Sequence, residues 1–120
     1  MAWHESPLKN NHIYSTDEQV VGTWIDGSPV YEKTISLDNI SGTSYSTSAL
    51  GLNISKVVSF FAYVQLGSEG GSSWMTSPHI ENNQDRLDCP YQSADEKIYL
   101  KSDWGLENAI VIMRYTKSSS

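Results

Sequence analysis

The chain has 120 residues, with 14 acidic side chains against eight basic ones and a formal net charge of -6. This length suits one domain whose single core buries roughly two-thirds of the unfolded surface, with no need of a metal or disulfide. Nucleic acid and anionic membranes are excluded as partners because Lys and Arg are few and scattered, and no apolar run reaches membrane-spanning length.

Residues 1–13 are expected to form an extended N-terminal arm serving attachment or subunit contact, ahead of one β-sandwich domain over 14–120. The opening MAWHESPLKNNHIYS lacks the apolar core of a signal peptide, so assembly in a cytoplasm is expected. Residues 20–24 and 30–37 are β-prone, and the second run alternates Tyr31, Lys33, Ile35 and Leu37 against Val30, Glu32, Thr34 and Ser36. Asp26 and Gly27 stand between them and tolerate positive φ, so they are expected to form a type I′ hairpin turn. Pro29 lacks an amide proton and belongs at a strand start or an edge.

The polar stretch 38–55 reads as an irregular excursion over the surface. KVVSFFAYVQLG follows, the most apolar part of the chain, with Val58, Phe60, Ala62, Val64 and Leu66 on a core-facing side. The opposite side carries Val57, Ser59, Phe61, Tyr63 and Gln65, and two aromatics there exceed what a solvated face shows, so that side is expected to meet another sheet or subunit. After the loop GSEGGSS, a short run begins at Trp74 and reaches Ile80. One short strand is expected near 86–91, and DEKIYLKS sets Ile98 and Leu100 against Lys97, Tyr99 and Lys101. The last strand sets Val111, Met113 and Tyr115 against Ile110, Ile112 and Arg114. Short strands at regular spacing predict an all-β fold, an antiparallel β-sandwich of jelly-roll-like form.

Reactive constellations are sparse. His4, His12 and His79 have no ligand spacing around them, so no metal or other cofactor is expected. Cys89 is alone and reads as a small buried side chain. No serine lies in a nucleophile-elbow setting. The acid pairs Asp17 with Glu18, Asp85 with Asp88, and Asp95 with Glu96 suit a glycosidase in principle but read more simply as solvated turn charges. No catalytic residue is assigned. Four tryptophans and seven tyrosines are many for so small a core. Beside Asn, Asp and Gln, exposed rings offer stacking faces for a sugar, and the same residues suit protein interfaces.

The segment YSTDEQVVGTWIDGSPVYEKTI, residues 14–35, resembles a "YST-E-x-V-x-G-x-W-x-DG-K-P-x-Y-x-K-T" pattern of bacteriophage virion proteins, chiefly tail-fibre and other receptor-binding or fibre-tip modules. The ending AIVIMRYTKSSS is similar to the last strand of those modules. Ser28 replaces the usual Lys, and residues 82–103 follow no family pattern, so no receptor contact carries over. The resemblance implies a homotrimeric, non-enzymatic virion protein packed around a fibre axis, with host-surface glycan as ligand and the arm contacting other virion proteins. Asp26 would then serve backbone geometry.

On this reading Trp74, Trp104 and Tyr91 are the candidate ligand contacts, and Phe61, Tyr63 and Trp3 the candidate subunit contacts. The alternatives are a capsid or baseplate decoration protein, a carbohydrate-binding module unrelated to phage, and, more remotely, a small glycosidase.

Overall fold

The structure is a computed structural model that describes residues 12–68, 71–81 and 84–118, with backbone alone at 79–81 and 84–85. Residues 1–11 of the expected arm, Trp3 among them, lie outside the described residues. The strands are β1 (Gln19–Thr23), β2 (Pro29–Leu37), β3 (Ser44–Ser46), β4 (Ile54–Leu66), β5 (Trp74–Thr76), β6 (His79–Glu81), β7 (Gln84–Asp88), β8 (Tyr91–Gln92), β9 (Lys97–Ser102) and β10 (Leu106–Lys117).

They form two antiparallel sheets, one ordered β1-β2-β10-β4-β5 and the other β3-β9-β7-β6, with β8 also pairing β9. The fold is therefore all-β, a sandwich as expected. Successive strands β2, β3 and β4 alternate between sheets, as do β9 and β10. The final strand β10 is inserted between β2 and β4, pairing Ala109–Tyr115 with residues 37 to 31 of β2 and meeting β4 along its whole length.

One core lies between the sheets. Ala62, Val64, Ala109, Val111, Met113 and Tyr115 point inward from the first sheet, and Leu87, Cys89, Ile98 and Leu100 from the second. The alternation read in β4, β9 and β10 thus marks the buried faces correctly, because successive side chains on a strand point to opposite sides. Tyr31, Ile35 and Leu37 of β2 join the same core. Glu32, on the other face of that strand, has no exposed surface.

Three local expectations need correction. The hairpin between β1 and β2 is not a type I′ turn. Gly27 N–H donates to Trp24 O at 2.9 Å and Trp24 N–H to Ser28 O at 2.8 Å, closing a three-residue loop of Ile25, Asp26 and Gly27. Gly27 alone has positive φ there, at 90°, which fits a type I turn followed by a left-handed glycine. Asp26 keeps its turn-forming role by another route, since its Oδ1 accepts the Ser28 N–H at 2.9 Å.

Residues 38–55 are more than a surface excursion. β3 pairs with β9, and Ile40 is buried, its N–H donating to Glu107 O at 2.9 Å. Thr47 and Ile98 exchange two bonds of 3.0 Å, Thr47 N to Ile98 O and Ile98 N to Thr47 Oγ1. Glu96 completes the attachment by accepting from Leu52 N at 2.7 Å and Ile54 N at 3.0 Å. Carboxylate bonds to backbone amides leave no trace in hydropathy, which is why periodicity misses this segment.

The single strand expected over 86–91 is two strands divided at Cys89-Pro90. Leu87 faces Ser102, Asp88 faces Lys101, Tyr91 faces Ile98 and Gln92 faces Lys97. One step along β7 and β8 is one step back along β9 throughout, so the division shifts no register. Pro90 has no N–H to contribute, but its carbonyl still accepts from Tyr99 N at 2.9 Å.

Candidate functional site

Residues of the 14–35 segment and of the last strand come together in space. Tyr115 Oη donates to Glu18 Oε2 at 2.6 Å and Lys117 Nζ to Glu18 Oε1 at 2.8 Å. The Tyr31 ring stacks near Tyr115, with centroids 6.2 Å apart and planes 19° from parallel, and Lys117 Nζ lies 5.2 Å from the Tyr31 centroid. Thr34 N donates to Ser15 O at 2.8 Å and Lys33 Nζ to Thr16 O at 2.6 Å. The hairpin segment and the last strand therefore form one clasp. Burial pushes the Glu18 carboxyl up, but the bonds from Lys117 and Tyr115 outweigh it and hold the group below its ordinary value. Burial and then the Glu18 carboxylate push the Tyr115 phenol far above its ordinary value.

The outer face of the first sheet is the second notable surface. Thr34, Ile112 and Phe61 form one cross-strand row, and Ser36, Ile110, Tyr63 and Thr76 the next. Phe61 and Tyr63 remain 44% and 39% exposed while touching edge to face at 4.7 Å. Ile110 and Ile112 lie half-buried beside them. Trp74, opposite Gln65 on the same face, is 48% exposed. This sheet turns its other side to the core, so the aromatic face is apolar surface without a partner in the described chain.

One end of that face is polar and closed. The Glu32 carboxylate accepts from His12 Nε2 at 2.5 Å, Arg114 Nε at 2.9 Å and Gln19 Nε2 at 3.2 Å. His12 and Ile13, the last two residues of the expected arm, thus lie against the sheet, with Ile13 O accepting from Gln19 Nε2 at 2.8 Å.

A third surface is a shallow groove of about 500 Å³ on the outer face of the second sheet. Ser44, Ser46 and Tyr45 line it from β3, Tyr99 and Lys101 from β9, and Asp88, Pro90 and Gln92 from the β7–β8 side. The three contributing strands lie side by side: Ser44 opposite Lys101 opposite Asp88, then Ser46 opposite Tyr99. The Tyr99 hydroxyl donates to Asp95 Oδ2, and Asp95 Oδ1 accepts from Lys97 N at 3.2 Å.

The structure does not bring the three sequence-predicted ligand residues together. Trp74 is on the outer face of the first sheet. Tyr91, opposite buried Ile98, packs its ring against the core. Trp104 borders a separate cleft of about 450 Å³ with Ile40, Gly67 and Glu107, and the Arg86 guanidinium lies 4.7 Å from its ring centroid. Gly67 lets the chain pass close at that cleft, where a Cβ would stand 3.1 Å from the Trp104 carbonyl oxygen and press on it.

Tyr99 is the residue that sequence reasoning passed over. The signal was present, an aromatic on the outward side of an alternating strand, as at Phe61 and Tyr63. Four acids of these pairs have backbone or hydroxyl partners: Glu18 in the clasp, Asp95 on Tyr99, Glu96 on two amides, and Asp88 on the Cys89 N–H at 3.0 Å. Among the described residues no three His, Cys, Asp or Glu side chains are grouped to hold a metal ion.

Comparisons with protein-family models, with curated proteins and with solved structures find no match for this chain.

Proposed function

We propose that this chain is a non-enzymatic structural and adhesion module of a bacteriophage virion. It acts as a fibre or fibre-tip piece, assembles as a homotrimer in the host cytoplasm and contacts host-surface glycan. The observation that carries the reading is the apolar outer face of the first sheet, with Phe61 and Tyr63 more than a third exposed beside Ile110 and Ile112. A cyclic assembly covers such a patch with its own copies, each presenting the same surface around one axis.

The resemblance in the 14–35 segment and the last strand supports the same reading, and the clasp supplies a physical reason for these segments to occur together. Their residues hold the first sheet together. The arm of residues 1–13 is assigned to other virion proteins, and its residue His12 meets Glu32 at one end of the proposed interface.

Light scattering on the purified chain at micromolar concentration tests the assembly. The expected mass is three times that of the chain, and a Phe61→Ser/Tyr63→Ser variant is expected to be a folded monomer by circular dichroism. A monomeric parent protein overturns the fibre reading and leaves a free-standing binding module in its place.

A further inference from the structure

We infer that the groove on the outer face of the second sheet is a saccharide-binding site in which the Tyr99 ring is the stacking platform. The inference deepens the adhesion reading and rests on it for the source of the sugar, a polysaccharide of a host surface.

Its chemistry comes from the lining. Tyr99 stands in the middle strand of three, with Ser46 opposite on one side and Pro90 on the other. The hydroxyl is held by Asp95 in the turn before β9, and that carboxylate is itself fixed by the Lys97 amide. A ring tethered at its far end loses little freedom when a ligand settles on it, which favours binding.

The groups around the ring select the ligand class. Ser44, Ser46, Gln92 and Asp88 offer hydroxyl, amide and carboxylate atoms, the donors and acceptors that match ring hydroxyls. Among the described lining residues Lys101 is the one cation, and it stands opposite Asp88, so the groove does not favour a polyanion. The groove is open and shallow, without the enclosed apolar socket that anchors a peptide side chain. A neutral sugar satisfies both requirements, because its C–H face is apolar and its rim is all hydroxyl.

Affinity electrophoresis of the full chain through gels carrying dextran, mannan, galactan or chitin oligosaccharides tests this, with hyaluronan as the charged comparison. Retardation by at least one neutral polymer is expected. Tyr99→Ala is expected to weaken it about tenfold, as for an aromatic anchor in a contact surface. Gln92→Ala, at an exposed position that leaves the fold intact, is expected to weaken it less. Asp95→Ala is expected to weaken binding and Asp95→Asn, which retains an acceptor for the tyrosine hydroxyl, to restore it.

No retardation by any neutral polymer overturns the inference. So does retardation unchanged in both Tyr99→Ala and Gln92→Ala, or retardation by hyaluronan alone. Light scattering on the same samples separates the outcomes: a trimer that ignores every sugar sinks the groove and spares the assembly, whereas a monomer with Tyr99-dependent retardation does the reverse.

Discussion

Glu32 and Arg114 face each other across β2 and β10, with the carboxylate wholly buried and the guanidinium side chain 42% exposed. A buried carboxylate is costly unless its oxygens are bonded, and here Arg114, His12 and Gln19 supply three donors. Arg114→Met is expected to destabilise the fold by about 2 kcal/mol, because it strands a buried charge with fewer partners. Denaturant titration at neutral pH measures it.

The same group sets a pH dependence. Burial raises the Glu32 carboxyl, yet the bonds from His12, Arg114 and Gln19 outweigh burial and leave it below its ordinary 4.5. Glu18 is lowered from 4.5 in the same way by Lys117 and Tyr115. In the window below 4.5 the unfolded chain therefore binds more protons than the folded one, and stability falls as pH falls through the folded values. Denaturation midpoints between neutral pH and acid are expected to drop in the parent chain and to vary less in Glu18→Gln/Glu32→Gln. Equal slopes in the two proteins would remove these carboxyls from the account.

The clasp couples two residues 97 positions apart, Glu18 and Tyr115. Tyr115→Phe removes one hydroxyl that is bonded to a carboxylate and is expected to cost about 1–2 kcal/mol. In a double-mutant cycle with Glu18→Ala, a coupling of about 1 kcal/mol is expected, since the two side chains share one bond. Additive losses would show that the bond does not contribute.

Asp26 and Gly27 distinguish geometry from chemistry. Gly27→Ala forces a Cβ into a φ of 90° and is expected to cost about 1–2 kcal/mol. Asp26→Asn keeps an oxygen for the Ser28 amide and is expected to leave the unfolding midpoint nearly unchanged. A large loss in Asp26→Asn would mean that the negative charge itself matters.

Cys89 is buried between the sheets, and burial, with Asp88 adding to it, pushes its thiol up to about 12. The reactive thiolate is therefore scarce at pH 8 and the sulfur is shielded. A disulfide exchange reagent is expected to leave the native protein unmodified and to label one thiol per chain in denaturant. Rapid labelling under native conditions would place Cys89 at the surface.

Much of the architecture was legible as a string of residues. Period-two alternation marked the inward sides of β4, β9 and β10, because strand geometry sends neighbours to opposite faces whatever surrounds them. Aromatics on the outward side at Phe61 and Tyr63 were legible for the same reason. The groove was not, because Ser44, Ser46, Asp88, Pro90, Gln92 and Tyr99 come from three chain segments that only strand order sets side by side. Residue type alone points to Trp74, Trp104 and Tyr91, and type says nothing of which surface a ring ends on.

The amino-acid order by itself marked β1, β2, β4, β9 and β10 as strands, showed which sides of β4, β9 and β10 are apolar, and placed the first hairpin turn. The tertiary structure alone decided that β10 lies between β2 and β4, that Glu18 meets Tyr115, and that Glu96 pins residues 52 and 54. Alternation is a property of the local backbone and can be read along the chain. A cross-chain contact exists only after the sheets have packed and their register is set, and that outcome depends on all the strands together.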